Sequence, residues 1–402
     1  MTITLLLDLD NTLLGNDMDR FLPAYFSKLS KVFPQWAKES FIQKLLAATE
    51  LMLRKNQPRQ TLEQTFDAGF YPALQVKKEE VLSSLNAFYT ERFPELQSYT
   101  QVRPEAIHLV ERAFDAGYQL VVATNPIFPI AAQLHRLQWA GLPLNKYPFS
   151  LVTSFETLHF AKPNPAYYAE ILAQAGYPEQ PAVMVGDNLA DDLIPAAKIG
   201  IPGFLVTDKP VDVPTNLPAP IVQGKLAEVW PWLKKIEMFK ETSPAPEISQ
   251  TAILAALKAT PAALETLSKD LTAQQWMARP TPTEWSAVEM LCHLRDADAE
   301  VNLPRLNRLL AEDVPFIAGI STDPWAEERD YLHQNGPASA AGFMEVRTQI
   351  TELLTNLPAD GWTRTARHAI FGPTTLKELV GFITTHDTIH VRQIFETLRK
   401  IR

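Results

Sequence analysis

LLLDLDNTLL, residues 5–14, ends an apolar run with two aspartates, Asp8 and Asp10. A run of this kind predicts a buried parallel strand, and open α/β sheets bind ligands at the carboxyl ends of their strands. Because residues two apart on a strand share a face, one carboxylate could attack an electrophile while the other moves protons. The same residues also fit a solvated turn that begins at Asp10 and Asn11. Later segments of the chain distinguish the two interpretations.

Residues 3–236 alternate short apolar runs with amphipathic segments. This alternation is typical of the α/β class with a doubly wound parallel sheet, because the amphipathic segments supply the helices that cover its two faces. Strands are predicted at residues 3–9, 119–124, 149–152, 182–185 and 204–206.

One long interval of this region has no strand pattern. Between Gly15 and Gln101 only helix-like segments occur, at residues 39–54 and 78–92, which is more chain than a simple crossover needs. We therefore predict a helical cap inserted into the sheet domain. The predicted boundaries are 1–236 for the whole domain, 1–14 and 101–236 for its core, and 15–100 for the cap.

The character of the sequence changes after residue 236. The proline-containing text at residues 243–246 predicts a linker, placed at 237–247. Beyond it strand-like runs vanish, and the apolar residues take helical spacing. The amphipathic segments cover residues 253–267, 288–310, 343–357 and 376–398. They predict an all-α four-helix bundle at residues 248–402.

The composition narrows the function classes. Of 402 residues, 46% are hydrophobic and 21% are charged, which suits two or three globular domains with packed cores. The net charge of −9, without a clustered basic face, predicts no nucleic-acid or membrane partner. A single cysteine, Cys292, excludes an internal disulfide and favours the cytoplasm. No targeting signal is visible, and no apolar stretch approaches the ~20 residues of a membrane span.

Polar residues follow the later strands of the first domain. Thr124 and Asn125 end the second predicted strand, and Lys162 precedes Pro163 further along. A hydroxyl there could bind a phosphate oxygen, and a lysine charge suits a phosphate or a carboxylate nucleophile. Capping of the next helix by Thr124 or Asn125, and a surface position for Lys162, are the simpler alternatives.

Three further carboxylates occur in VMVGDNLADDL, residues 183–193, and two of them are the main candidates. Asp187 follows a strand and a glycine turn, and Asp192 lies near the start of the next helix. Together with Asp8 they would form the oxygen-rich cluster that Mg²⁺ requires. Asp191 competes with Asp192 for this role, and the helix dipole also favours acids at a helix start.

Taken in order, these segments resemble the haloacid dehalogenase-like superfamily over residues 1–235. The shared motifs are D-x-D-x-T at residues 8–12, the hydroxyl at Thr124, Lys162 before a proline, and GD-x4-D ending at Asp192. The resemblance implies a capped, Rossmann-type hydrolase fold.

The resemblance also implies catalytic roles. Asp8 would attack phosphorus to give an aspartyl-phosphate, and Asp10 would protonate the leaving group and then activate water. Thr124 and Lys162 would hold the phosphoryl oxygens, and Asn125 is a further substrate-binding candidate. The dehalogenase branch of the superfamily lacks the second acid and needs no metal, so Asp10 favours phosphatase chemistry.

A magnesium site follows from the same resemblance. Asp8, Asp187 and the backbone carbonyl of Asp10 would ligate Mg²⁺, and Asp192 would support the site. These roles agree with the chemistry, because an anionic nucleophile approaches a phosphoryl group only when cations screen their repulsion. Mg²⁺ and Lys162 would supply that screening.

The predicted bundle carries a histidine pattern of its own. His386 and His390 are four residues apart on a predicted helix, so their imidazoles share a face and could bind one metal ion. His293, on an earlier helix, could complete a three-histidine site with an open position. Histidine pairs at this spacing also arise by chance, as core or surface residues.

The surroundings of these histidines resemble the DinB-like family of metal-dependent four-helix proteins from about residue 248 to residue 401. The likeness is carried by W-S-A-V-E-x3-H, ending at His293, and by H-x3-H-x2-Q, ending at Gln393. It implies that His293, His386 and His390 bind a divalent metal, with zinc or nickel expected.

Neighbouring polar residues have open roles. Asp387, Arg392 and Gln393 are candidates for supporting the ligands or contacting a substrate, and ordinary helix-surface roles fit them equally well. Cys292 directly precedes His293, and because adjacent helical residues do not share a face we expect it in the core and not as a ligand.

The sequence therefore predicts an Mg²⁺-dependent phosphatase of a small phosphorylated metabolite, fused to a divalent-metal-binding domain. Two alternatives apply to the bundle. It could be a metal-dependent thiol transferase, or a non-catalytic module for binding or homodimerisation.

Overall fold

The computed structural model describes residues 3–239 and 248–402 and divides them into two compact units. The first unit contains residues 3–56, 60–168 and 179–239, and the second contains residues 57–59, 169–178 and 248–402. Of the linker predicted at 237–247, residues 240–247 lie outside the described residues.

A parallel sheet forms the centre of the first unit. The strands of this unit are β1 (Thr4–Leu7), β2 (Leu14–Asn16), β3 (Thr100–Val102), β4 (Gln119–Val122), β5 (Leu151–Val152), β6 (Ala182–Gly186), β7 (Gly203–Val206) and β8 (Ile221–Gly224). Six of them pair in the order β5-β4-β1-β6-β7-β8, all parallel. The doubly wound α/β fold predicted from the sequence is confirmed.

Strand β1 lies at the centre of the sheet, and three of its four side chains are leucines, which suits burial on both faces. All four of its residues are buried, and Leu7 is in register with Val122 of β4 and Val185 of β6. The carboxyl ends of these three strands therefore meet at one sheet edge. Strand β8 was not predicted from the sequence, because it is a partly exposed edge strand without a continuous apolar run.

Helices cover the sheet and build the cap. They are α1 (Met18–Ser30), α2 (Lys38–Arg54), α3 (Leu62–Leu74), α4 (Lys78–Ala87), α5 (Pro104–Asp115), α6 (Ile130–Trp139), α7 (Pro165–Gln174), α8 (Ile194–Lys198) and α9 (Val229–Phe239). The interval from Gly15 to Gln101 is helical, as predicted, except at its ends. There β2 and β3 pair antiparallel, and the prediction of no strand is wrong because three-residue strands are too short to show a period of two.

The second unit is mainly helical. Its helices are α10 (Gln250–Ser268), α11 (Ala273–Met277), α12 (Ala287–Asp296), α13 (Leu303–Ala311), α14 (Trp325–Glu328), α15 (Gly336–Thr355) and α16 (Leu376–Ile401). A π-helical segment, Ala297–Asn302, connects α12 to α13. The long segments predicted from the sequence correspond to α10, the α12–α13 pair, α15 and α16.

A small sheet in the second unit was not expected. Strands β9 (Phe316–Ile317), β10 (Thr365–His368) and β11 (Gly372–Thr375) form it in the order β11-β10-β9. The prediction that strands vanish after the linker is therefore wrong, because these strands are too short for apolar alternation to identify. Across residues 3–239 and 248–402, no helix combines the length and apolar character that a membrane crossing needs.

Candidate catalytic and metal sites

A buried lysine joins two carboxylates at the central sheet edge. Lys162 Nζ donates to Asp8 Oδ1 over 2.7 Å and to Asp192 Oδ1 over 2.6 Å. The three residues are only 3%, 6% and 2% exposed, respectively. Lys162 is therefore not a surface lysine, and Asp8 is not part of a solvated turn.

Asp187 completes a carboxylate cluster. Asp8, Asp187 and Asp192 each offer an oxygen within 4.8 Å of the others. Three carboxylates against one ammonium leave an excess of negative charge in a buried place, which suits a divalent cation with a preference for oxygen ligands. The donor set therefore fits Mg²⁺.

The acidities of these groups agree with a site that needs a cation. Burial raises the pKa of Asp8 well above its usual range, although Lys162 acts against the shift. Burial, and then the charge of Asp192, raises the pKa of Asp187 to about 6. The Lys162 ammonium is disfavoured by burial, yet Asp192 and Asp8 raise its pKa above the ordinary value. The Asp8 and Asp187 carboxylates are thus costly as anions until positive charge is added.

The structure distinguishes between the two competing acids of the later motif. Asp192 Oδ2 accepts from the Asn188 backbone N–H over 3.0 Å, which fixes the carboxylate in the cluster. Asp191 lies outside the cluster, and its carboxylate accepts from the Asn188 side-chain amide. Gly186 permits this arrangement, because a Cβ at that position would collide with the Asp192 carboxylate.

Asp10 stands apart from the carboxylate cluster. Its carboxylate accepts from Asn16 Nδ2 over 2.8 Å and pairs with the guanidinium of Arg136 on α6. Arg136 is 1% exposed, and Gln133 Oε1 accepts its second hydrogen bond over 2.7 Å. Arg136 was not among the residues predicted from the sequence. Its available signal was an arginine on the apolar face of a helix, next to the buried Leu137.

Hydrogen bonds to a backbone carbonyl hold the loop after β4 in place. The Thr124 carbonyl accepts from Thr153 Oγ1 over 2.7 Å and from Tyr167 Oη over 2.8 Å. Helix α6 begins only at Ile130, so the alternative of a helix cap at Thr124 or Asn125 is wrong. The buried Asn125 Oδ1 has no protein partner, which leaves this oxygen available to accept a hydrogen bond from a ligand or water.

The second unit brings three histidines together. His386 Nε2 lies 3.0 Å from His293 Nε2 and 3.1 Å from His390 Nε2. Nitrogen lone pairs that converge in this way repel one another unless a proton or a cation lies between them. Burial, and then the neighbouring imidazole, lowers the pKa of each histidine to about 4. The imidazoles are therefore neutral near pH 7, which is the form that binds metals.

Residues around the histidines have defined places. The Trp285 ring stacks on His390 at a centroid separation of 6.1 Å and an interplanar angle of 6°. A cavity next to His390 is lined by Trp285, Arg392 and Gln393, among others. Glu289 of the W-S-A-V-E motif caps α12, because it accepts from the Ser286 backbone N–H over 2.9 Å.

Two other candidates lie in the interior of this unit. Asp387 is 1% exposed and forms a buried ion pair with Arg347, which also bonds Asp298 over 2.6 Å. A helix-surface role for Asp387 is therefore wrong. Cys292 lies in the core, where its Sγ is 3.1 Å from Ser339 Oγ, and burial raises its pKa.

Comparison with known proteins gives a family match in each of the two units. The model of the haloacid dehalogenase-like hydrolases matches residues 4–200, and that of the DinB superfamily matches residues 256–394. Residues 4–200 therefore form a HAD-like part of the chain, and residues 256–394 form a DinB-like part. We refer to the two parts below as the hydrolase unit and the DinB-like unit.

Two relatives are similar to parts of this fusion. The haloacid dehalogenase-like hydrolase domain-containing protein 3 of Danio rerio is 34% identical over 61 residues, which are 15% of this chain and 25% of that protein. This chain thus covers a quarter of the relative's length. YuaE of Bacillus subtilis (strain 168), an uncharacterised protein, is 26% identical over 150 residues, which are 33% of this chain and 89% of YuaE.

Solved structures are similar to each unit in turn. A HAD phosphatase from Thermococcus onnurineus is 25% identical, with a TM-score of 0.37. The match covers 58% of this chain and 98% of the phosphatase chain. YfiT from Bacillus subtilis, which has a four-helix bundle topology, is 23% identical, with a TM-score of 0.36. The match covers 40% of this chain and 93% of the YfiT chain. At these TM-scores the assignment depends on the two family models alone.

Proposed function

We propose that the hydrolase unit is an Mg²⁺-dependent phosphatase that acts on a small phosphomonoester through an aspartyl-phosphate at Asp8. The observation that carries this proposal is the Lys162 bridge between Asp8 and Asp192, with Asp187 in the same cluster. It provides a nucleophile, a fixed cation and a dication site at one sheet edge. Phosphoryl transfer needs these elements, because its catalysis is mainly positioning and charge stabilisation.

The chain's own residues divide the reaction into two steps. An Asp8 oxygen attacks phosphorus, the bond to the leaving oxygen breaks, and Asp10 gives that oxygen a proton. The Asp10 carboxylate then takes a proton from water as the water oxygen attacks phosphorus. The bond to Asp8 breaks, and phosphate leaves.

Other residues hold the phosphoryl group. Lys162 neutralises charge on Asp8 and on the transferred oxygens, while Thr124 and Asn125 offer hydrogen bonds from the neighbouring strand end. Mg²⁺, held by Asp8, Asp187 and the Asp10 carbonyl with support from Asp192, would supply the remaining positive charge.

Removal of Mg²⁺ tests this proposal. Chelator-treated protein is expected to lose turnover of p-nitrophenyl phosphate by about 100-fold or more, because the carboxylate cluster then repels the substrate, and added Mg²⁺ should restore it. The assay is release of phosphate. A variant with His386→Ala and His390→Ala is the control for the second metal and should keep the same Mg²⁺ dependence. Full turnover in the chelator would refute the metal requirement.

Arg136 gives a second prediction for this unit. Arg136→Met is expected to lower kcat by about 10- to 100-fold, because Asp10 loses the cation that fixes its carboxylate. Arg136→Lys should lie between the wild type and Arg136→Met, since lysine keeps the charge but not the planar fork. Arg112→Met, at an exposed position on α5, is the matched control and should match the wild type. Wild-type kcat in Arg136→Met would show that the pair is structural only.

For the DinB-like unit we propose a divalent-metal site at His293, His386 and His390. The convergence of three neutral Nε2 atoms supports it, and zinc or nickel suits this donor set. A thiol transferase is favoured over a binding or dimerisation module by the cavity that reaches His390. If the metal-loaded protein transfers no low-molecular-weight thiol, the binding or dimerisation module is favoured instead.

We place the whole chain in the cytoplasm, where a single buried thiol stays reduced.

A further inference from the structure

A cavity that the catalytic residues do not use lies inside the hydrolase unit. It encloses about 220 Å³ between the cap helices α1 to α4 and the loops after β4 and β5. Apolar side chains such as Leu22, Phe26 and Phe70 dominate its walls. An apolar cavity of about 150 Å³ holds benzene, so this one accommodates an aromatic ring or a short alkyl chain. Leu46 and Leu82, at 48% and 38% exposed, lie at its opening.

Several polar groups on the cavity walls bond one another. The Tyr25 and Tyr89 hydroxyls bond each other over 2.9 Å, and Lys78 Nζ bonds Glu63 and Asp67 over 2.7 Å each. In the described part of the chain, none of the buried side-chain polar atoms without a partner belongs to this lining. Because apolar side chains dominate the walls, an apolar ligand gains more from burial here than a polar ligand does.

The sheet edge near Asp8 has the opposite character. Buried hydrogen-bond donors without a protein partner in this unit include Thr12 Oγ1 and Arg136 Nε. Such atoms need a ligand or water. The hydrolase unit therefore offers a polar place for a phosphoryl group and, separately, an apolar place for an organic group.

One side chain connects the two places. Phe128 lines the cavity, and its ring centroid lies 5.4 Å from Cζ of Arg136. Arg136 in turn pairs with Asp10. In the proposed reaction Asp10 protonates the leaving oxygen, so the organic body of the leaving group must lie on the Asp10 side. The cavity begins on that side.

We propose that this cavity binds the apolar body of the leaving group, so that the natural substrate is an aryl or short-chain alkyl phosphomonoester. The substrate class rests on the proposed phosphatase function, whereas binding of an apolar molecule in the cavity does not. Sugar and nucleoside phosphates are expected to be poorer substrates, because most of the wall that would surround their hydroxyls is apolar.

The kinetic test compares two esters that both release a primary alcohol. For n-hexyl phosphate, kcat/KM is expected to exceed that for glycerol 3-phosphate by about tenfold or more, the size of effect that apolar pocket contacts give. Leu85→Trp fills the cavity from α4 and should reduce this ratio to about threefold or less. Leu82→Trp, at the more exposed opening, provides a second variant if the first folds poorly. Leu53→Trp, on α2 outside the cavity, should keep the wild-type ratio.

Calorimetric titration with 1-naphthol tests binding without any reaction. Wild-type protein should bind one equivalent, and Leu85→Trp should weaken binding by about tenfold. An absent preference for the hexyl ester, or a ratio that Leu85→Trp and Leu82→Trp both leave unchanged, would overturn the inference while the phosphatase function stands. If no ester is hydrolysed, the phosphatase function fails. The titration then decides alone, since cavity-dependent binding of 1-naphthol supports an apolar ligand site and its absence overturns it.

Discussion

Asp8→Asn is expected to abolish phosphatase turnover, with a loss on the order of 10⁴-fold or more, because the variant has no carboxylate to attack phosphorus. The side chain keeps its size and can still accept a hydrogen bond from Lys162, which retains its contact with Asp192. Positioning of the phosphoryl group is therefore largely preserved. Phosphate release from p-nitrophenyl phosphate at saturating Mg²⁺ measures the effect.

A fold defect can be separated from this loss. Because burial raises the pKa of Asp8, its ionised form destabilises the folded chain at neutral pH when no cation is bound. Neutralisation by asparagine removes that cost, so the Tm in chelator should be equal to or higher than the wild-type value. A lower Tm would indicate that the Lys162 pair dominates stability instead.

Asp191→Asn is the matched control. It makes the same chemical change one residue from Asp192, but the carboxylate lies outside the cluster and bonds only the Asn188 amide among the described contacts. Turnover should stay within about twofold of the wild type, since Asp191 supplies no oxygen to the cluster. Retained activity in Asp8→Asn, or equal losses in the two variants, would reject Asp8 as the nucleophile.

The sheet edge was predictable because parallel strands need few details to bring residues together. Asp8, Thr124 and Asp187 each follow one of three apolar runs, and those runs are the neighbouring strands β1, β4 and β6. Once the runs are recognised as parallel strands, their carboxyl ends must meet. The position of Lys162 was harder to predict, because this residue lies on a loop. Only the resemblance to the haloacid dehalogenase-like superfamily placed it beside Asp8.

Partners that depend on tertiary packing could not be predicted. Helical periodicity shows which face of α6 carries Arg136, but it does not show that Asp10 lies opposite, 126 residues away. The same applies to Asp387 on α16, whose partner Arg347 belongs to α15. A charged residue on an apolar helix face is the general signal, since such groups are rarely buried without a partner.

Loss of metal from the DinB-like unit is the second large effect that we expect. The wild-type chain should retain about one zinc or nickel ion after dialysis, because three neutral imidazoles converge on one point. His386→Ala and His390→Ala together should reduce this stoichiometry to about a tenth or less, since a single remaining imidazole binds these ions weakly. Elemental analysis of the full chain gives the stoichiometry directly.

The thermal response provides an independent measure. Metal that binds only the folded chain should raise the Tm of the DinB-like unit by about 5 °C or more, and the double variant should show no such rise. The cost of the substitutions in metal-free protein should be small, because the histidines are neutral and their clustering is not favourable without a cation. The variant therefore separates lost ligation from lost folding.

His333→Ala serves as the control for this measurement. His333 belongs to the same unit, but its side chain is 66% exposed and its recorded partner is Asp330. Both the metal stoichiometry and the metal-dependent rise in Tm should equal those of the wild type. If metal stays at the wild-type stoichiometry in the double variant, the three-histidine site is wrong. Loss of metal in His333→Ala instead would place the ion elsewhere in this unit, away from the cavity that reaches His390.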